Sequence, residues 1–138
     1  METKSPINEA TVKVLIVDAD EVARYTYRRY LEVASPRYEV HEAKNRLTGV
    51  SLAQTIRPDC ILLDLCFPND YGFEILQDLL TYHVASNDQP TARVIVLSAL
   101  TQKSVQDGAL SMGACKYVVK DHTTPLLLDQ TIQDAMTS

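Results

Sequence analysis

Five short apolar runs constrain the fold of this chain more than any other feature of its sequence. They span residues 12–17, 38–41, 60–63, 94–97 and 117–119. Most of them are continuous rather than alternating, and they are rich in Val, Ile and Leu. Runs of this kind are typical of strands that are buried on both faces of a parallel sheet. They predict five strands of one such sheet.

The segments between the runs repeat their less polar residues every three or four positions, as amphipathic helices do. The first of these segments, 21–35, would leave Arg24, Arg28 and Glu32 on its outer side. The other predicted helices span 47–56, 73–82 and 104–112, and a last one begins at Thr124-Pro125. Strand and helix therefore alternate five times. Right-handed crossovers then predict an α/β fold, a (βα)5 doubly wound, five-stranded parallel sheet with helices on both faces.

The length of 138 residues suits one domain, which we predict to span residues 12–138 after a flexible lead-in at 1–11. The net charge of −5 and the lack of a basic run argue against nucleic-acid binding. No apolar stretch is long enough to span a membrane, and we expect a cytoplasmic protein. Cys60 and Cys115 lie in or near apolar runs, which predicts buried or half-buried free thiols. The irregular stretch 83–93 is predicted to be a solvent loop.

Four of the five runs end at a residue that can carry charge or donate a hydrogen bond: Asp18, Asp64, Ser98 and Lys120. Any one of them could simply mark a strand end. In a parallel sheet, however, ligands bind outside the carboxyl ends of the strands, where all four would meet. Two carboxylates held together repel and need a cation, such as magnesium, between them. An ammonium and a hydroxyl suit phosphoryl oxygens, so together the four residues predict a phosphoryl-binding pocket.

These residues lie in segments through which the chain resembles the receiver domain of two-component response regulators, from about Val12 to the last helix. The matching segments are VLIVD, ILLDLCFPNDYG, VIVLSA and GACKYVVK. The resemblance implies a flavodoxin-like sheet in the order 2-1-3-4-5. It also implies a phosphorelay signalling module, in which Asp64 accepts a phosphoryl group from a phosphohistidine on a histidine kinase or phosphotransfer protein. Such a module is not an enzyme in the ordinary sense, since it catalyses at most its own phosphorylation.

The resemblance also assigns roles at the site. Asp64 would be both nucleophile and magnesium ligand, Asp18 would help to hold the ion, and the backbone carbonyl of Cys66 would be a further ligand. Lys120 would pair with the phosphoryl oxygens.

A second set of roles concerns signalling. Ser98 would swing to hydrogen-bond the phosphate, and Tyr117 would turn into the space that Ser98 leaves. Tyr117 is alternatively a half-buried aromatic at the sheet edge. The face around strands four and five would then contact an output domain or a second copy of the chain. The stretch RYTYRRYLE is reminiscent of receivers attached to hybrid sensor kinases.

Two departures from the family pattern affect this site. Receivers usually carry two adjacent acids after the first strand, whereas the second position here is Ala19. Asp20 could reach the ion or cap the first helix, where a carboxylate suits the helix dipole, and we favour the cap. One carboxylate fewer predicts weakened magnesium binding, with a degenerate, phosphorylation-silent receiver as the alternative. The other departure is Asp121, which replaces the usual proline after Lys120.

A function of another class also fits the first strand. LIVDADEV matches the Asp-x-Asp pattern of haloacid dehalogenase-type phosphohydrolases, with Asp18 as nucleophile and Asp20 as general acid. That family needs a further acidic pair beyond its lysine, and only one helix follows Lys120. This alternative also gives no role to Asp64.

Overall fold

The computed structural model describes residues 10–84 and 93–137. They form one five-stranded sheet in which every neighbouring pair of strands is parallel, in the order β2-β1-β3-β4-β5. The strands are β1 (Val12–Val17), β2 (Tyr38–Ala43), β3 (Cys60–Leu63), β4 (Arg93–Ser98) and β5 (Lys116–Val119). The helices are α1 (Glu21–Ala34), α2 (Arg46–Ile56), α3 (Gly72–Val84), α4 (Lys103–Met112) and α5 (Pro125–Thr137). The predicted fold class and strand order are confirmed.

Helices cover both faces of the sheet. Side chains of α1 and α5 pack on one face, with Leu31 and Ile132 fully buried among strand residues. Side chains of α2, α3 and α4 pack on the other, where Ile75 and Leu79 are fully buried. The two cores explain the continuous apolar runs of the central strands, because every residue of such a strand faces one core or the other. The edge strands β2 and β5 are mostly half-buried, because each has a neighbour on only one side.

The helix boundaries follow local chemistry. Asn45 caps α2 by accepting the backbone N–H of Thr48, and Thr124 caps α5 by accepting that of Leu127. The predicted start of the last helix at Thr124-Pro125 is therefore confirmed. Within the residues that the structure describes, no helix is both long and apolar enough to cross a membrane.

Some sequence predictions need correction or fall outside the description. Cys60 is buried as predicted, but Cys115 is exposed, so that part of the prediction was wrong. Cys115 precedes the edge strand β5, and proximity to an apolar run does not bury a residue at a sheet margin. Of the lead-in at 1–11, the structure describes only residues 10 and 11, which are exposed. Most of the predicted loop at 83–93 also lies outside the described residues.

Candidate functional site

The four strand-end residues meet at one edge of the sheet. Asp18 follows β1, Asp64 follows β3, Ser98 ends β4, and Lys120 follows β5. The backbone N–H of Asp64 donates to the carbonyl of Val17, so that the two acidic strand ends lie side by side. Although Asp18 and Asp64 are charged residue types, they are only 3% and 5% exposed. The structure therefore brings these strand ends together with both carboxylates buried, while their chemical roles stay predictions.

The ammonium of Lys120 bridges the two carboxylates. Its Nζ lies 2.8 Å from Oδ2 of Asp18 and 3.7 Å from Oδ1 of Asp64. Burial by itself lowers the pKa of Lys120, but the hydrogen bond to Asp18 and the charges of both carboxylates outweigh burial and raise it. Lys120 is thus held as a cation inside the site.

Asp64 lies farther from the Lys120 ammonium than Asp18 does, so its negative charge is less completely neutralised. Burial raises its pKa, and the nearby charge of Asp18 raises it further, whereas Lys120 lowers it. The backbone N–H groups of Leu65 and Cys66 donate to this carboxylate and also lower the pKa, but the net direction is upward. Burial is the largest cause, and the one ammonium that the two buried carboxylates share does not fully offset it. A further cation would relieve that imbalance.

The oxygen atoms at this site suit a magnesium ion, although the protein offers it few ligands. Among residues 10–84 and 93–137, no group of three His, Cys, Asp or Glu side chains is arranged to hold a metal ion. Two carboxylates and a backbone carbonyl nevertheless suit a hard ion that usually keeps several water molecules. Asp18 and Asp64 would be its side-chain ligands. The role of the Cys66 carbonyl stays a prediction.

Asp18 and Asp20, the two acidic residues that follow β1, make different contacts. Oδ1 of Asp18 accepts the backbone N–H of Asp20 at 2.8 Å, which fixes the turn into α1. The Asp20 side chain is exposed and accepts the backbone N–H of Val22 at 3.0 Å as the N-cap of α1. The favoured interpretation of Asp20 as a cap is confirmed. Ala19, between them, supplies no ligand side chain.

Arg24 is a site neighbour that the sequence pattern misplaced. The helical spacing put it on the outer side of α1, but its side chain is only 12% exposed. Nη1 donates to the backbone carbonyl of Asp18 at 2.7 Å, and Nε pairs with Glu42 at 3.1 Å. The long side chain bends back over the strand ends, which a count of helical periodicity does not capture. Arg24 thereby helps to hold the main chain that carries Asp18.

Ser98 is the last residue of β4, and Tyr117 is the second residue of the neighbouring strand β5. Ser98 is fully buried, and its Oγ accepts the backbone N–H of Leu100 at 3.2 Å. The hydroxyl of Tyr117 donates to the carbonyl of Leu100 at 2.8 Å. Burial raises the pKa of Tyr117, and a hydrogen bond with Ser98 lowers it in part. Ser98, Leu100 and Tyr117 thus form a connected group beside the acids.

A tight turn follows the Asp64 strand end. Cys66 forms an antiparallel bridge with Tyr71, which folds the chain back on itself. A Cβ atom at Gly72 would lie 2.3 Å from the carbonyl oxygen of Leu65. Only glycine fits there without moving the main chain. This close approach explains why the segment ILLDLCFPNDYG ends in glycine.

Comparison with known proteins places these features in one family. The family model of the response regulator receiver domain matches residues 14–132. Protein CcdB of Bacillus subtilis is 31% identical over 109 residues, which cover 78% of this chain and 84% of CcdB. The transcriptional regulatory protein DegU of Brevibacillus brevis is 27% identical over 124 residues, which cover 89% of this chain but 50% of DegU.

A solved structure agrees with these relatives. The response regulator domain of CheB from Thermotoga maritima superposes with a TM-score of 0.78 at 27% identity. The match covers 93% of this chain and 98% of that domain. The structural likeness therefore extends over nearly the whole fold, and residues 14–132 of the family match include all four strand ends.

Proposed function

This chain belongs to the response regulator receiver domain family, and we propose that its Asp64 accepts a phosphoryl group from a phosphohistidine on a histidine kinase or phosphotransfer protein. The observation that carries the proposal is the position of Lys120, whose Nζ lies within 4 Å of both Asp18 and Asp64. A buried carboxylate beside a fixed ammonium can attack phosphorus while the cation stabilises the charge that develops on the phosphoryl oxygens. The protein would act in a two-component or phosphorelay pathway.

The bonds that break and form in the proposed step belong to the donor and to Asp64. An oxygen of the ionised Asp64 attacks phosphorus and forms an acyl phosphate, the phosphorus–nitrogen bond breaks, and the histidine imidazole leaves with the electron pair and takes up a proton. The raised pKa of Asp64 still leaves the carboxylate available when a cation is close. Lys120 holds the carboxylate in place before the reaction and then pairs with a phosphoryl oxygen.

Magnesium, which receiver domains generally bind at the acidic pocket, would supply the positive charge that the site lacks. Asp18 and Asp64 would hold it together with the Cys66 backbone carbonyl, while Asp20 serves α1 instead. Because Ala19 removes one carboxylate, we expect weaker binding than in receivers with both acids. Binding can be followed by NMR shifts of the backbone N–H groups at these strand ends. Saturation in the millimolar range agrees with the proposal, and the variant Ala19→Asp should saturate at lower magnesium.

Signalling would use Ser98 and Tyr117. A phosphoryl group on Asp64 adds negative charge beside the Ser98 hydroxyl, which can exchange its contact with Leu100 for a phosphoryl oxygen. Loss of that contact frees the loop that Tyr117 also holds. The equilibrium moves only as far as the phosphoryl group prefers one arrangement. An output domain or a second copy would then dock on the face around β4 and β5.

The test is to incubate the chain with acetyl phosphate and magnesium and to locate the modified residue by mass spectrometry. We expect a labile phosphoryl group on Asp64, absent from Asp64→Asn and retained in the control Asp20→Asn. Unmodified protein at saturating magnesium would refute phosphoryl transfer and leave the degenerate receiver that acts only as an interaction module.

The same experiment also distinguishes the receiver from the alternative phosphohydrolase function. That reaction requires Asp18 as nucleophile and Asp20 as general acid. The carboxylate of Asp20 is instead bound to the first turn of α1, and Asp18 is tied to Lys120. A modified Asp18 with steady turnover of small phosphate esters would favour the hydrolase over the receiver.

A further inference from the structure

We propose that Tyr27 is a positioning residue for Lys120, because its hydroxyl holds the main chain at Lys120 and so keeps the ammonium between Asp18 and Asp64. The expected effect of Tyr27 on the phosphorylation rate rests on the proposed function. Its expected effect on the mobility of the Lys120 side chain does not, because that mobility is measured in the unphosphorylated protein.

The contact joins two elements that are distant in sequence. Tyr27 lies on α1 and is only 7% exposed. Its hydroxyl donates to the backbone carbonyl of Lys120 at 3.4 Å across 93 positions of the chain. This is a long hydrogen bond, so its effect should be modest. It nevertheless connects the buried side of α1 directly to the turn that carries the site lysine.

The Tyr27 hydroxyl lies close enough to the acidic residues of the site to interact with their charges. Burial raises the pKa of Tyr27 to about 12, and the charges of Tyr30, Asp121, Asp18 and Asp64 act in the same direction. The hydroxyl therefore keeps its proton at neutral pH and remains a donor.

Lys120 needs an anchor because the sheet stops supporting the chain just before it. The last paired residues of β4 and β5 are Ser98 and Val119. Lys120 begins a three-residue 3-10 turn that runs to His122. A lysine side chain has many rotamers, and fixing it in one of them costs conformational entropy. A fixed main chain limits where its Nζ can lie, and Tyr27 restrains that main chain from the α1 side.

A purely structural role would explain the aromatic ring but not the hydroxyl. The ring of Tyr27 packs in the core formed by α1, α5 and the sheet, beside Leu31 and edge-on to Tyr30 at 5.2 Å between ring centroids. Phenylalanine would fill that space equally well. Removal of the oxygen alone therefore separates positioning from packing.

The experiment compares Tyr27→Phe with the matched control Tyr30→Phe, which deletes the same atom from the adjacent ring on α1. Nitrogen-15 relaxation of the lysine ammonium groups reports the order of Lys120 in the folded population, with exposed Lys103 as an internal reference. We expect Lys120 to become more mobile in Tyr27→Phe and to remain unchanged in Tyr30→Phe. The rate constant for phosphorylation by acetyl phosphate should fall roughly two- to tenfold in Tyr27→Phe, the range that one net hydrogen bond spans.

Unchanged mobility of Lys120 in Tyr27→Phe would overturn the inference, whether or not the melting temperature or the rate changes. If the unaltered protein is never phosphorylated, the proposed function fails, while the mobility of Lys120 still decides the role of Tyr27.

Discussion

Replacement of Lys120 by methionine should destabilise the fold far more than loss of a surface lysine. Methionine keeps most of the aliphatic stem and removes the charge. The ammonium lies 2.8 Å from a carboxylate oxygen of Asp18 and 3.7 Å from one of Asp64. Without it, two buried carboxylates face each other with no lysine cation between them.

The magnitude follows from these distances. Two opposite charges at about 4 Å attract by about 4 kcal/mol at an effective dielectric constant of about 20. The substitution also removes the cost of burying the ammonium, but it leaves buried carboxylates uncompensated, and such changes cost about 3–5 kcal/mol in total. Since one carboxyl group can take up a proton, we expect about 3 kcal/mol in the free energy of unfolding. This corresponds to a melting temperature lower by about 10 °C for a domain of this size.

The loss should depend on pH. The pKa of Asp64 is raised by burial even with Lys120 present, and removal of the cation that lowers it must raise it further. A carboxyl group whose folded-state pKa exceeds its unfolded value binds more protons when folded, so stability decreases as pH rises through the interval between the two values. The deficit of Lys120→Met should therefore be largest at neutral pH and shrink as pH falls into that interval.

Urea unfolding followed by far-ultraviolet circular dichroism, with EDTA present, measures the effect at neutral and acidic pH. The matched control is Lys103→Met, which breaks an ion pair of 2.9 Å with Asp107 on exposed α4, where the lysine side chain is 87% exposed. That surface pair should contribute less than about 1 kcal/mol. Equal losses in the two variants, or a Lys120→Met deficit that does not shrink in acid, would refute the role given to burial and charge.

Three further predictions concern the surroundings of the site. Asp20→Ala should cost about 1 kcal/mol of stability by removing the cap on the backbone N–H of Val22, while magnesium affinity measured by NMR titration stays the same; a large loss of affinity would make Asp20 a ligand. Gly72→Ala should cost about 2–3 kcal/mol in urea unfolding, because the new methyl group overlaps the Leu65 carbonyl, and a neutral result would contradict the tight turn. Cys60 is buried, and burial raises the pKa of its thiol, so thiol reagents followed by mass spectrometry should modify it only after unfolding.

The sequence by itself determined the sheet and the convergence of its polar strand ends. Continuous apolar runs require burial on both faces, and parallel strands bring their carboxyl ends to one edge. Asp18, Asp64, Ser98 and Lys120 could therefore be placed together before any coordinates. The strand order came from resemblance to the receiver family, since apolar spacing alone does not distinguish the possible orders.

Only the tertiary structure decided which side chains complete the site. Arg24 was expected on the outer side of α1 but bends back to the Asp18 carbonyl, and Tyr27 reaches Lys120 from 93 positions away. Cys115 is exposed although an apolar run lies near it in the sequence. The physical reason is that local periodicity reports the side of a helix or strand on which a residue starts. Where a long side chain ends, and what it meets there, depends on how separate elements pack against one another.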